Sequence, residues 1–319
     1  MWPGTRLLDL FGIEVPIVQA PMAAATDVEM AVAVAKAGGL GSLLAPVLAA
    51  DKIYSGVTEI RSHIDRPINL NFFCHVAPQR RGAQADLAQS VMHLTTPSLA
   101  PRRRHSHSTQ GLCPSERTFA ASSIDLRSRA FKFGLPALDL LQRVKAAGCR
   151  VLNSATSVRE ARWLYENGAD VVIAQGAEAG GHRGMFIEID VDTQIETFAL
   201  VPQIVDAVPV PVIAACGIAD ARGVAAAFAL GAAGVQIGTA YLRAPEAHIS
   251  ELHRAALKKR EPATVITNVL SGRPARVLLN RFIKEQGPIA SEAPAFPLAT
   301  HREIFRRSGP AKPACSTAT

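Results

Sequence analysis

Short apolar runs recur along the chain, each closed by turn residues and separated from the next by stretches with helical spacing. In order they occupy residues 16–20, 40–44, 68–72, 130–133, 150–153, 171–174, 211–214 and 234–237. Short runs of this kind, bounded by turn residues and alternating with helical stretches, read as the strands of a parallel sheet. Eight such strands alternating with helices predict an α/β chain folded as a (β/α)8 TIM barrel. The fourth run is the least regular, because Lys132 interrupts it.

The helices between them carry their own signals. Thr26-Asp27-Val28-Glu29 and Ser157-Val158-Arg159-Glu160 match the capping box, in which hydroxyl and carboxylate satisfy free backbone donors reciprocally. The helices they open are predicted to end at Gly38-Gly39 and Gly168, and a third runs from Asp220 to Gly231. Apolar spacing fails over residues 86–129, where Arg, Ser and His recur and little can be buried. Stretches of that length are functional lids or disordered loops. The predicted organisation is a barrel over residues 1–244 that contains this irregular segment, then a smaller, mainly helical cap over 245–305, and a disordered tail over 306–319.

Composition narrows the class. A hydrophobic share of 48% with 19% charged residues fits a chain with a large core, and no apolar run is long enough to span a bilayer. The N-terminus lacks a basic stretch followed by an apolar one, and the five cysteines are scattered without metal-ligand spacing. These features predict a cytoplasmic protein with no zinc site and no disulfide framework. The net charge of +7 suggests a nucleic-acid partner until it is located. Between Pro101 and Ala130 stand six arginines against Glu116 and Asp125, a local surplus of +4 that leaves +3 elsewhere. No aromatic-rich strand accompanies them to stack bases, so a solvated basic loop, Arg129 included, is expected.

In such a barrel the active-site groups lie just beyond the C-terminal ends of the strands. The sixth strand runs into Gln175-Gly176-Ala177-Glu178-Ala179-Gly180-Gly181-His182-Arg183-Gly184. Glycines let a backbone approach a ligand closely, and histidine moves protons near neutral pH, so His182 is the candidate for chemistry. Arg183 either binds an anion or faces solvent. Gly217 follows the seventh strand, and Gly238 and Thr239 follow the eighth. Their backbone amides, the Thr hydroxyl and nearby helix starts predict a phosphate-bearing ligand across strands six to eight. Met22 after the first strand, and Asn71 and Gln175 at the ends of the third and sixth, have ordinary structural readings as well. His75 is a minor candidate for the pocket wall.

Together these stretches resemble the nitronate monooxygenase family, formerly called 2-nitropropane dioxygenases. The resemblance rests on Gln19-Ala20-Pro21-Met22-Ala23, residues 37–42, Phe133-Gly134-Leu135-Pro136, residues 175–184, Ala215-Cys216-Gly217-Ile218, Gln236-Ile237-Gly238-Thr239-Ala240 and Ser271-Gly272-Arg273-Pro274-Ala275-Arg276. It implies FMN in the barrel, with backbone at Met22 and Ala23 facing the flavin. Asn71, with Asn69 as the alternative in the Asn-Leu-Asn spacing, and Gln175 would hydrogen-bond it. Gly180, Gly181, Gly217, Gln236, Ile237, Gly238 and Thr239 would hold its phosphate end, and His182 matches the catalytic base. The implied reaction is oxidation of an alkyl nitronate by O2 to a carbonyl compound and nitrite, in a monomer or homodimer. His182 would take the proton of a neutral nitroalkane or, when protonated, help hold the nitronate. Residues 86–129 depart from the family pattern, as a reading-frame disturbance corrected before Phe131 would make them do. A FabK-type enoyl-acyl-carrier reductase, a pyridine-nucleotide quinone reductase and a flavin-binding protein without turnover are the competing expectations.

Overall fold

A computed structural model describes residues 2–45, 50–75, 128–259 and 261–297. The irregular segment therefore lies outside the described residues except for its last two positions, and the tail lies outside them entirely. Those two positions, Ser128 and Arg129, are not part of a solvated loop. They open a strand, and both are buried.

Eight parallel strands form the frame: β1 (Ile17–Gln19), β2 (Gly41–Leu44), β3 (Ile68–Phe73), β4 (Ser128–Lys132), β5 (Arg150–Ala155), β6 (Val171–Gln175), and, beyond a short β7 (Gly181–His182), β8 (Val212–Ala215) and β9 (Gly234–Ile237). Their spatial order β1-β9-β8-β6-β5-β4-β3-β2 follows the chain around a ring. The ring closes where Val18 pairs with Leu40, with Gln19 N–H donating to the Leu40 carbonyl at 3.0 Å. The expected TIM barrel is thus present. Its lower end is plugged by α1 (Arg6–Phe11), whose Leu7 and Phe11 meet the inward-facing Val18, Leu40, Ala130, Leu152, Ile173 and Ile213.

Outside the ring pack α2 (Val28–Lys36), α3 (Ala50–His63), α4 (Leu138–Ala146), α5 (Val158–Glu166), α6 (Thr197–Ala207) and α7 (Ala221–Ala229). Ser157 accepts from Glu160 N–H at 3.2 Å, as the capping pattern predicts, and Asp220 caps α7. The cap of α2 is Asp27 rather than Thr26. The Thr26 hydroxyl is taken by the preceding turn, accepting from Met22 N–H at 3.1 Å. Past β9 the chain turns into a 3-10 helix (Thr239–Arg243). Ile17 and Ile237 are left only partly buried there, in a groove of about 760 Å³ shared with Trp2, Val224 and Phe228.

The C-terminal region, expected to be mainly helical, holds two short helices among the described residues, α8 (Glu251–Leu257) and α9 (Arg281–Gln286), together with a β-hairpin. Strands β10 (Thr264–Thr267) and β11 (Ala275–Leu278) pair antiparallel, and β11 continues onto β7, opposing Ala275 to His182 and Arg276 to Gly181. The cap is therefore stitched by backbone hydrogen bonds to the loop that carries His182.

Candidate active site

Strand parity decides what faces the mouth. In β3, Ile68, Leu70 and Phe72 join the outer cluster under the helices, so Asn69, Asn71 and Phe73 point inward. In β4, Phe131 points outward and Ala130 inward, which carries Lys132 inward one level higher. The residue that looked like a flaw in the fourth strand is thereby placed at the barrel mouth.

The loop after β6 is held from three sides. Gln175 acts as a staple: its Nε2 donates to the His182 carbonyl at 3.2 Å, and its Oε1 accepts from Gly184 N–H at 2.6 Å. Arg183 neither faces solvent nor waits for an anion. It is fully buried, donating to the carbonyls of Gly176 and Gln175 and to Gln194 Oε1 at 2.5, 2.9 and 2.8 Å. The hairpin supplies the third restraint, since Arg183 N–H donates to the Pro274 carbonyl and Arg276 reaches the Ala177 carbonyl. A loop so tied presents His182 in one orientation.

The imidazole sits in an aromatic cage. Phe133 and Phe296 approach it edge-on at 6.1 and 5.3 Å between centroids, and His75 lies 4.8 Å from Phe296. Phe133 has φ +70°, an uncommon conformation for a bulky residue that persists only where surrounding contacts impose it. Gly134 follows at φ +94°, with its carbonyl held by Asn153 Nδ2 at 2.7 Å. His182 Nε2 lies 2.8 Å from Ser271 Oγ, whose own proton reaches the Arg273 carbonyl at 3.2 Å. With that proton so directed, Nε2–H donates to Ser271 and Nδ1 keeps the lone pair.

Two cations face the same space. Lys132 Nζ donates to the His182 carbonyl at 2.9 Å, and the Arg273 guanidinium stacks 4.0 Å over the Phe133 ring while donating to the Met185 carbonyl. Burial, and then the charges of Lys132 and Arg273, pull the His182 pKa down to about 3. Burial, reinforced by Arg183 and Arg273, draws Lys132 down to about 8. At neutral pH the imidazole is accordingly uncharged. His75, the minor wall candidate, does line this cage, also with its pKa lowered by burial and then Arg273. Ser271, Arg273 and Lys132 are the site residues that the strand-end rule did not single out.

Two of the glycines bring neighbouring strand-end loops into contact. A Cβ on Gly180 would stand 2.9 Å from Thr239 Oγ1, and one on Gly238 would stand 3.2 Å from the Ala20 Cβ, so the loops after β1, β6 and β9 touch. Gly181 and Gly217 have positive φ and open space where a Cβ would project. The N–H groups of Gly217, Ile218 and Ala219 donate to no acceptor among the described residues. That is a cradle of free donors suited to a phosphate. The first amides of α7 do not contribute, because Asp220 accepts from Arg222 and Gly223 N–H.

Around this cradle the remaining expected contacts divide. Asn71 is buried at the upper end of β3 with Oδ1 unpartnered, as a residue awaiting a ligand donor would be. Asn69, one level lower, leaves its Oδ1 unpartnered too, but its Nδ2 donates to Ser42 Oγ at 3.1 Å. Ala23 N–H is free of acceptors among the described residues, whereas Met22 N–H is taken by Thr26. Gln236 shares the inward parity of Val18, its register partner. Ile237 turns outward into the groove, and its carbonyl accepts from Ala20 N–H. No group of His, Cys, Asp and Glu that could hold a metal occurs among the described residues.

Comparison with known proteins gives this geometry a context. The family described as nitronate monooxygenase matches residues 4–317. The chain belongs to the nitronate monooxygenase family. A nitronate monooxygenase of Paraburkholderia phytofirmans is 40% identical over 305 residues, covering 92% of this chain and 81% of that one. A probable nitronate monooxygenase of Staphylococcus saprophyticus is 36% identical, over 92% and 84% of the two chains. Among solved structures, nitroalkane oxidase from Streptomyces ansochromogenes superposes with a TM-score of 0.78 at 36% identity, over 93% of this chain and 84% of that one. FabK from Thermotoga maritima follows at 0.67 and 31%, over 89% and 77%. Family membership makes the chain an oxidoreductase. None of its described helices is long and apolar enough to cross a membrane.

Proposed function

We propose that the chain binds FMN and oxidises alkyl nitronates with O2 to carbonyl compounds and nitrite, with His182 as the base. The observation that carries this reading is a caged imidazole beside two cationic side chains, on the same strand-end loop as Gly180 and Gly181. FMN, when bound, supplies the one-electron chemistry with the nitronate and with oxygen. The protein supplies placement and proton handling. The free amides of residues 217–219, Gly180, Gly181 and Thr239 would hold the phosphate, and Asn71 Oδ1 would accept from the flavin ring edge. Gln175 would keep the His182 loop in place, with one Nε2–H still available to the cofactor.

His182 Nδ1, bearing the lone pair, is the atom that takes an α-proton when the substrate arrives as a neutral nitroalkane. Phe133, Phe296 and Phe73 keep water from that transfer. Purified protein should show a flavin spectrum. Anaerobic addition of propionate 3-nitronate should bleach it, and readmitting air should yield nitrite. Rapid bleaching by NADH with no response to nitronate would reverse the assignment in favour of a reductase. Bound flavin that answers to neither would leave a binding protein. His182→Asn should retain the flavin and lose nitroalkane turnover; normal turnover would remove the base role.

A further inference from the structure

Lys132 and Arg273 have no assigned task, yet both are held in the mouth beside His182. Neither has a carboxylate within ion-pair distance among the described residues. Unpaired cations in a largely buried setting are unfavourable unless a bound anion completes them. Each also retains donors. Lys132 uses one of three N–H groups on the His182 carbonyl, and Arg273 uses its Nη2 on the Met185 carbonyl. The walls between them are the rings of Phe73, Phe133 and Phe296, which meet at 5.2 to 6.2 Å and suit an alkyl chain.

We propose that Lys132 and Arg273 form the anion-binding half of the substrate pocket and make it select the nitronate anion over the neutral nitroalkane of the same carbon skeleton. The inference rests on the nitronate reading above for the identity of the anion, but not for the existence of the anion site. The groups facing Lys132 are His182 and Arg183 from the loop after β6, Cys216 after β8 and Arg273 from the cap. Burial pushes the Cys216 thiol up to about 12, so it offers no negative charge at neutral pH. The buried Glu160 offsets part of the Arg273 charge from beyond ion-pair distance, whereas no carboxylate among the described residues faces Lys132, so the pocket keeps a net positive charge.

The test uses the purified flavin-loaded protein with propionate, an unreactive carboxylate of similar shape and charge, and then ethyl nitronate against nitroethane. Lys132→Met should weaken propionate binding in calorimetry, and raise the KM for ethyl nitronate, by at least about tenfold, the loss expected for one hydrogen bond to a charged group. The KM for nitroethane should rise less than that for ethyl nitronate, since a neutral ligand has less charge to lose on binding. Lys132→Arg should restore propionate binding and serves if the Met variant does not fold. Equal propionate affinity in parent and Lys132→Met overturns the proposal. So does a shift in flavin spectrum or FMN affinity with propionate binding unchanged, which would seat Lys132 against the cofactor. Lys132-dependent propionate binding in a protein that oxidises no nitronate supports the anion site and sinks the reaction assigned above.

Discussion

Arg183 gives the sharpest test of how the site is built, because the sequence offered it two roles and the structure a third. Substitution by Met keeps much of the volume and removes every donor. The guanidinium serves three acceptors, the Gly176 and Gln175 carbonyls and Gln194 Oε1, and Gln194 in turn donates to Thr156 Oγ1 at 3.3 Å. Thr156 leans on the buried Glu160, whose other oxygen accepts from Phe186 and Ile187 N–H. Hydrogen bonds to a charged donor contribute about 1.5–3 kcal/mol each, so three give roughly 5–9 kcal/mol before offsets. Relief of the guanidinium's desolvation returns several kcal/mol, leaving a net loss of about 3–5 kcal/mol.

At about 2 °C per kcal/mol for a chain of this size, the melting temperature of Arg183→Met should fall by roughly 6–10 °C. Scanning calorimetry without flavin or substrate is the decisive format, because a ligand-binding arginine would leave the unliganded protein unchanged. An unliganded variant melting within about 2 °C of the parent would refute the structural role and reopen anion binding at this position.

The cradle and the imidazole give two further tests. Gly217→Ala places an L side chain at φ +66° and should weaken FMN binding about tenfold while costing about 1–2 kcal/mol of stability. Gly12→Ala, at φ +70° behind α1 and equally open, should cost the same stability without touching FMN affinity, and equal losses of affinity in both variants would dissolve the cradle. For His182 the folded pKa of about 3 lies below the unfolded value of 6.5, so stability present above pH 6.5 is lost as pH falls toward 3. At pH 5 that loss is about 2 kcal/mol. Urea titrations of His182→Asn should therefore show that much less destabilisation between pH 7 and 5, and parallel curves would contradict a neutral buried imidazole.

The barrel was legible because strands covered on both faces must be written as apolar runs, and each of the eight runs became a strand within a residue or two of its expected limits. His182 was legible for a local reason, glycines on either side of a polar ring at a strand end. Its surroundings were not. Ser271 meets it across 89 residues, and no spacing rule joins a hydroxyl in one segment to a ring in another. The hairpin escaped because its strands have four residues each and only partly buried patterns, too short for a period to declare itself. Lys132 could have been found: two residues beyond the inward Ala130, it had to point inward as well, and a charge on that parity is more informative than an interrupted run.

That parity also links the two halves of the site. The charges of Lys132 and Arg273 add to burial in lowering His182, so an anion placed between them opposes part of that shift. On the proposed reading, His182 would be a weak base toward a neutral ligand and a stronger one with an anion against the cationic wall. A neutral nitroalkane would meet the imidazole at its least basic, and its deprotonation would become favourable only as the developing anion is taken up by the same two cations. Charge selection and proton transfer are then one arrangement of four side chains, with Ser271 holding Nε2 so that Nδ1 is the nitrogen that responds.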